Sequence, residues 1–177
     1  MDILELVPNY KDNNKKIALS LGFRAEMVII PPILTPVGDD KNIEPNSQEQ
    51  TVWILRDSEN FIWYIGKRIV TKEDNLVEIT PALSEEALWN RDCPDFYSDS
   101  NMAFSLLSKI PYHSLRVIQS NFDDRNGYLW EISYRRENNG PTYTEVGRFI
   151  TISIVNVFME CNLDIDPEIE LDQLLKA

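Results

Sequence analysis

The chain has few of the residues from which metal and phosphate sites are usually built. Its 177 residues include one histidine, two cysteines and six glycines. A zinc site needs clustered cysteine and histidine, whereas Cys93 and Cys161 lie far apart in the sequence and in no metal-like spacing. No P-loop, dinucleotide fingerprint or serine-hydrolase motif occurs. We therefore expect no metal site of the zinc type, no cofactor and no glycine loop that binds phosphate.

A leader and a long apolar run are also missing from the sequence. The chain starts Met1-Asp2-Ile3-Leu4-Glu5, without the basic n-region of a signal peptide. No apolar stretch is long enough to span a bilayer. These features predict a protein that stays in the cytoplasm of whichever cell contains it, with two free thiols. One disulfide between Cys93 and Cys161 is the alternative.

Positive charge is scarce. Lys and Arg number 17 against 29 Asp and Glu, so the formal net charge is −12. A field of this sign repels nucleic acid and anionic membranes, so we expect no direct binding to duplex nucleic acid and no membrane contact. It suits docking on a basic partner, and the alternative is that the charge serves only solubility.

Length and composition predict a single domain that spans residues 1–177. The sequence is 43% hydrophobic, and a chain of this length can bury a sizeable core. Two segments differ from the rest in composition. Residues 31–50 are rich in proline and are predicted as a long loop, and residues 162–177 are predicted as an acidic C-terminal tail.

The strand patterns are grouped in the sequence instead of alternating with helices. This order predicts an α+β fold with an antiparallel sheet packed between helices, similar to an α/β/α sandwich. Strands are predicted at 25–30, 51–56, 61–65, 115–122, 128–136 and 142–146. Helices are predicted at 15–21, 84–90, 99–110 and 149–161. The last helix is rich in β-branched residues, which favours a strand by propensity, but its length and lack of alternation favour a buried helix.

Helix ends are marked by residues that cap them. The run Asp12-Asn13-Asn14 predicts the start of the first helix and Gly22 its end. Ser84 predicts the start of the second helix, and Ser98 or Asp99 the start of the third.

From Pro94 onward the chain carries a recognisable order of motifs. A Pro94-Asp95-Phe96-Tyr97-Ser98-Asp99 turn precedes a helix, and further markers are Ala103, Leu106-Leu107, Leu115-Arg116-Val117, Trp130 and an apolar helix near the end. This order resembles the phage ABA-sandwich family, small proteins of bacteriophage and prophage genomes with an antiparallel sheet between helices. The opening helix at 17–23 and the strand at Trp53 are similar to the amino-terminal part of such proteins. Phe96 and the loop at 31–50 depart from the family pattern. The resemblance implies the fold and a phage origin, and it implies no catalytic residue.

A ligand site can be proposed from aromatic residues near arginine. Aromatic faces stack on a nucleotide base, and guanidinium groups pair with phosphate. The alternative is that the aromatic residues fill the core and the arginines line a solvated sheet face, which is the commoner use of large aromatics. The candidate ligand-binding residues are Trp89, Arg91, Phe96, Tyr97, Arg116, Arg135, Arg136 and Arg148.

Two further features could carry chemistry. Asp92, Asp95 and Asp99 could hold a divalent cation, although turn and cap roles explain Asp95 and Asp99 without one. His113, the one histidine, could be a general base or a switch, and a role at a helix–strand junction is favoured. We predict neither a catalytic residue nor a bound metal.

These observations favour a binding protein over an enzyme. The first hypothesis is a phage-encoded inhibitor of bacterial immunity. It would dock its acidic surface on an immune effector as a nucleic-acid-like decoy, or, as an oligomer, sequester a small nucleotide signal. The alternatives are a metal-dependent nuclease or phosphodiesterase that uses the aspartates, and an acidic immunity protein that neutralises a basic toxin.

Overall fold

The computed structural model describes residues 7, 9–30, 34–37, 42–45, 50–65, 67–69, 80–120 and 127–163. In this part of the chain, helices occur together with antiparallel strands, which confirms the α+β class. No helix among the described residues is both long enough and apolar enough to cross a membrane. In chain order the elements are α1 (Tyr10–Ser20), β1 (Arg24–Ile30), β2 (Leu34–Val37), β3 (Asn42–Pro45), β4 (Gln50–Arg56), β5 (Ile62–Tyr64), β6 (Lys67–Ile69), α2 (Glu85–Asp92), α3 (Ser100–Leu107), β7 (Ser114–Ser120), β8 (Gly127–Tyr134), β9 (Tyr143–Gly147) and α4 (Ile150–Asn162).

The chain divides into two compact units. Unit 1 consists of Met1–Ile17 and Pro94–Ala177, and unit 2 consists of Ala18–Cys93. Unit 1 is therefore discontinuous in sequence, and the whole of unit 2 lies between its two segments. The prediction of a single domain stays a prediction.

Unit 2 contains an antiparallel sheet in the order β1-β4-β5-β6. β4 and β5 form an antiparallel hairpin with residues 57–60 as its turn. Helix α2 packs on β4 and β1. It begins at the predicted cap, because Ser84 Oγ accepts a hydrogen bond from the Ala87 N–H. The buried side chains of the sheet and helix include Val52, Ile54, Leu55, Ile62, Trp63 and Leu88.

Among the described strands, β2 and β3 pair only with each other, and they lie within the stretch predicted as a long loop. Each contains a proline, Pro36 in β2 and Pro45 in β3. Proline cannot donate to a ladder and is confined to edge strands within sheets. Because both strands of a two-stranded sheet are edges, the prolines are compatible with pairing although they indicate a loop in the sequence.

Unit 1 contains the β7-β8-β9 sheet, and α4 packs on β8, β9 and α3. All nine residues from Thr151 to Met159 are buried. The prediction of a buried helix over a strand is therefore confirmed. The predicted acidic tail lies almost wholly outside the described residues, since Asn162 ends α4 and Leu163 follows it.

Helix α1 begins five residues before its predicted start. Asp12, Asn13 and Asn14 lie inside the helix, so the prediction that they cap it is wrong. The physical reason is tertiary, because the two asparagine side chains form hydrogen bonds with residues 95–97. The end of the helix at Gly22 is confirmed by its φ of +87°, a left-handed conformation that glycine adopts without steric cost.

Candidate functional site

The predicted aromatic pair in the Pro94–Asp99 turn lies in the core of unit 1. Phe96 and Tyr97 are both 0% exposed. The Tyr97 hydroxyl accepts a hydrogen bond from Asn13 Nδ2 at 3.3 Å and donates to Met159 Sδ at 3.5 Å. Burial raises the pKa of Tyr97 to about 12. In this conformation neither ring offers a face on which a ligand could stack.

The two aspartates of the same turn accept hydrogen bonds from backbone N–H groups. Asp95 Oδ1 accepts from the Tyr97 and Ser98 N–H groups, each at 3.1 Å. Asp99 is the N-cap of α3 and accepts from the N–H groups of Asn101 and Met102. The turn and cap roles of both residues are thus confirmed. No group of three or more His, Cys, Asp or Glu side chains among the described residues is placed to hold a metal ion.

Trp89 and Arg91 lie on α2 in unit 2, whereas Phe96 and Tyr97 belong to unit 1. Trp89 is buried, and its Nε1 donates to Glu85 Oε1 at 3.1 Å. Arg91 forms two hydrogen bonds with the buried carboxylate of Asp92, at 2.8 and 2.7 Å. The hydrogen bond to Asp92 raises the pKa of Arg91. The guanidinium also lies 5.0 Å from the centre of the Tyr64 ring, so its polar edge and one face are occupied within unit 2.

The remaining candidate arginines belong to unit 1 and lie at separate points of its sheet and loops. Arg116 pairs with Glu131 on the neighbouring strand at 2.6 Å. Arg135 donates to the Asn138 carbonyl at 2.8 Å, and Arg136 pairs with Glu160 at 3.3 Å. Arg148 is exposed just before α4. Among the described residues, no contact joins these four side chains into one basic pocket.

His113 occupies the predicted junction. It follows α3 and directly precedes β7, and its Nδ1 lies 2.8 Å from the carbonyl oxygen of Ile110. The side chain is exposed. Among the described residues, its one hydrogen bond is to the backbone of the preceding turn.

A polar seam between α4 and β9 went unpredicted from the sequence. We define the α4–β9 seam by Glu145, Gly147, Ser153 and Asn156. Asn156 Nδ2 donates to Glu145 Oε1 at 3.3 Å, and a Cβ atom at Gly147 would lie 2.5 Å from Ser153 Oγ. Burial, together with the nearby charge of Glu160, raises the pKa of Glu145, while the Asn156 hydrogen bond lowers it. Ser153 Oγ and Asn156 Oδ1 are buried without a hydrogen-bond partner among the described residues, a state that is uncommon for buried polar atoms.

One end of the α4–β9 seam adjoins a stack of aromatic and charged groups. The Tyr134 and Tyr143 rings stack with centres 5.5 Å apart, and the Arg136 guanidinium lies 5.8 Å from the Tyr143 ring centre. The Tyr134 hydroxyl donates to Glu160 Oε2 at 2.5 Å. Burial raises the pKa of Tyr134, and the hydrogen bond to Glu160 raises it further. Burial also raises the pKa of the adjacent Cys161 thiol to about 11, which makes this cysteine a poor nucleophile at neutral pH.

The sequence does contain a signal for the α4 side of this region. Ser153, Asn156 and Glu160 follow the spacing i, i+3, i+7 in an otherwise apolar segment, and residues with this spacing share one helix face. The signal for the β9 side is missing, because Glu145 is one acid among many in an acidic chain.

Two exposed side chains stand on strained backbone. Ile65 in unit 2 and Tyr112 in unit 1 have φ of +45° and +47°, although their side chains are 56% and 52% exposed. The left-handed region costs an ordinary L-residue about 1–2 kcal/mol, and more for a β-branched residue such as isoleucine. The Ile65 N–H donates to Asp92 Oδ1 at 3.2 Å, which holds the turn in place. Because both side chains are exposed, the cost of the strained backbone is not offset by burial of these side chains in the core.

No family model, curated protein or solved structure matches this chain.

Proposed function

We propose that the chain is a non-catalytic binding protein that docks its acidic surface on a basic protein partner. The resemblance to the phage ABA-sandwich family makes a bacterial immune effector the first class of partner to test. The protein would then act as an inhibitor in the cytoplasm of the infected cell, where it would occupy a groove that otherwise binds nucleic acid.

The observation that supports this proposal is the way in which the arginines are used. Of the eight arginines in the described part of the chain, seven donate hydrogen bonds to oxygen atoms of the same chain. These are Arg24, Arg56, Arg68, Arg91, Arg116, Arg135 and Arg136.

Pairing of arginines with carboxylates of the same chain reduces the number of guanidinium groups available to a ligand. In five of the seven arginines the acceptor is a carboxylate. Each such pair removes one charge of each sign, so the net charge of −12 is carried by acids outside these pairs. A guanidinium that already holds a carboxylate must break that contact to bind phosphate. The arrangement therefore favours a cationic partner over an anionic nucleotide.

The first experiment measures binding to purified bacterial defence nucleases by biolayer interferometry. Salt is varied from about 50 to about 500 mM, a range over which exposed charges become screened. We expect the dissociation constant to rise steeply with salt, and duplex nucleic acid to compete for the same effector. Binding that is insensitive to salt would argue against docking through the acidic surface.

Matched variants assign the effect to charge. Asp12, Glu86 and Glu137 are exposed, and a triple Asn/Gln/Gln variant changes the net charge from −12 to −9. The control replaces the exposed Lys11, Lys16 and Lys109 by Gln, which changes the net charge to −15. We expect slower association for the first variant and faster association for the control, because long-range charge governs the association rate.

A parallel measurement tests the nucleotide hypothesis. Thermal unfolding is followed with a panel of cyclic mono- and dinucleotides, since a ligand that binds only the folded state raises the melting temperature by mass action. No shift is expected from any of them. A shift that saturates with one nucleotide would replace docking by sequestration as the proposed function.

A further inference from the structure

The centre of the α4–β9 seam contains an amide and a carboxyl group in partial contact. Asn156 is 5% exposed and lies in the middle of α4. Its Nδ2 contacts Glu145 Oε1 at 3.3 Å, but its Oδ1, on the same amide, has no donor. One half of the amide is thus satisfied and the other half is not.

The protonation state of Glu145 decides whether the second half can be satisfied. An ionised carboxylate only accepts hydrogen bonds, whereas a protonated one has an O–H donor and keeps an acceptor. An amide also has one donor side and one acceptor side. An amide and a carboxylic acid can therefore close a ring of two hydrogen bonds, from amide N–H to acid C=O and from acid O–H to amide C=O.

We propose that Glu145 and Asn156 form such an acid–amide pair, which binds one proton and thereby fastens the edge strand β9 to α4 in unit 1. Glu145 Oε1 already holds the amide N–H, so its second oxygen is the one that would carry the proton. That proton would fill the vacant acceptor at Asn156 Oδ1. The proposal is independent of the docking function.

Among the described residues, no cation is seen to compete for Glu145. The titratable groups near it are Glu160 and Cys161 on α4, Tyr134 on β8 and Tyr143 on β9. Arg136 is the nearest positive group that the structure shows there, and it pairs with Glu160. No lysine, arginine or histidine among the described residues forms an ion pair with Glu145. An ionised Glu145 would therefore meet a second carboxylate and an unpaired amide oxygen in a partly buried position.

The raised pKa of Glu145 agrees with this geometry and determines the sign of the pH dependence. The folded state binds the proton more tightly than the unfolded state, whose glutamate has the ordinary pKa of 4.5. The contribution to stability is fully present below pH 4.5 and is lost as the pH rises through the folded pKa. Glu131 has a lowered pKa instead, so its contribution to stability has the opposite pH dependence.

The acid–amide pair acts on a strand at the edge of its sheet. β9 is the edge of its sheet and pairs only with β8 among the described strands. When Glu145 ionises, the acid–amide ring opens and the helix side of β9 loses one of its two hydrogen bonds to Asn156. We expect amide exchange in β9 to accelerate over the same pH range.

The direct test is the titration of Glu145 in the wild-type protein, followed by the side-chain carboxyl carbon in NMR and assigned by its loss in Glu145→Gln. The expected midpoint lies above 4.5, the ordinary value. Hydrogen exchange of residues 143–147 should rise with the same midpoint, after correction for the intrinsic rate. A midpoint at or below the ordinary value would overturn the proposal.

Variants separate the acid–amide pair from general electrostatics. Glu145→Gln keeps a donor and an acceptor at every pH, so its melting temperature should exceed that of the wild type at about pH 8, by about 2–4 °C per kcal/mol recovered, and the difference should vanish at acid pH. Asn156→Asp should steepen the pH dependence, because two neighbouring carboxyl groups then share one proton. Glu160→Gln removes the neighbouring charge and leaves the ring, so it should lower the midpoint of Glu145 while the difference in amide exchange of β9 between acid and neutral pH persists. If Glu145→Gln has the same pH profile as the wild type, the pair does not bind the proton.

Discussion

Replacement of Asn14 by alanine tests how the two segments of unit 1 are joined. Asn14 is 4% exposed, and its Oδ1 accepts from the Phe96 N–H at 3.0 Å while its Nδ2 donates to Asp95 Oδ1 at 3.2 Å. It is therefore a bridge between α1 and the Pro94–Asp99 turn, across 81 residues of sequence.

The magnitude follows from the groups that lose their partner. The Phe96 N–H is buried, and a buried donor without an acceptor costs about 1–3 kcal/mol. Asp95 keeps the N–H groups of Tyr97 and Ser98, so its loss is one hydrogen bond of about 1 kcal/mol. Alanine is the better helix former by roughly half a kcal/mol, which offsets part of this. The net destabilisation is about 2–3 kcal/mol.

Asn13→Ala is the matched control. It makes the same change at the next position of α1 and gains the same helix propensity. It removes only the 3.3 Å hydrogen bond to the Tyr97 hydroxyl, which keeps its contact with Met159. We expect a change within about 1 kcal/mol.

The assay is urea denaturation combined with hydrogen exchange resolved to single residues. Asn14→Ala should lower the free energy of unfolding by the amount above and should abolish the protection of the Phe96 amide, whereas Asn13→Ala should retain that protection. Equal stability of the two variants, with the Phe96 amide still protected, would refute the reasoning.

Three further predictions concern the strained turn, the α4–β9 seam and the thiol beside it. Ile65→Asn should stabilise unit 2 by about 1 kcal/mol, because asparagine tolerates a positive φ; a lower melting temperature would show that the Ile65 side chain stabilises the fold. Gly147→Ala should destabilise unit 1 by about 1–3 kcal/mol through overpacking, since the new Cβ would lie 2.5 Å from Ser153 Oγ. The double variant with Ser153→Ala should recover most of that loss, and no recovery would mean that the clash lies elsewhere. Alkylation of Cys161 by iodoacetamide, measured by peptide mass spectrometry, should accelerate towards its pKa of about 11; a rate that is already maximal near pH 8 would contradict the burial of this thiol.

Most helices and strands of the fold could be predicted because they depend on local patterns. Ser84 and Asp99 cap their helices as predicted, since a capping side chain reaches only the next turn. α4 is recognisable by its length, although its β-branched residues favour a strand. The start of α1 was missed because Asn13 and Asn14 hydrogen-bond to residues more than 80 positions away, and such contacts leave no trace in the local sequence.

The candidate site was harder to predict than the fold, for two physical reasons. First, proximity in sequence is not proximity in space, and the chain passes from unit 2 to unit 1 between Cys93 and Pro94, so Trp89 and Tyr97 serve different cores. Second, the sequence does not show whether an arginine already pairs with an acidic residue of the same chain. Glu160 lies 24 residues from Arg136, and only the fold shows that they pair.

The discontinuity of unit 1 also has a consequence for synthesis of the protein on the ribosome. The segment that ends at Ile17 is made first, but the residues it packs with begin at Pro94. At about 5–20 residues per second, the 81 positions between Asn14 and Asp95 take about 4–16 s to translate. All of unit 2 is synthesised in that interval, so its residues are available to form their own contacts before the partners of the front of α1 have been made. A nascent chain that is released before Pro94 would contain every residue of unit 2. Its amphipathic opening segment would lack the residues of unit 1 that follow Pro94. An exposed apolar face of this kind is what chaperones and proteases recognise.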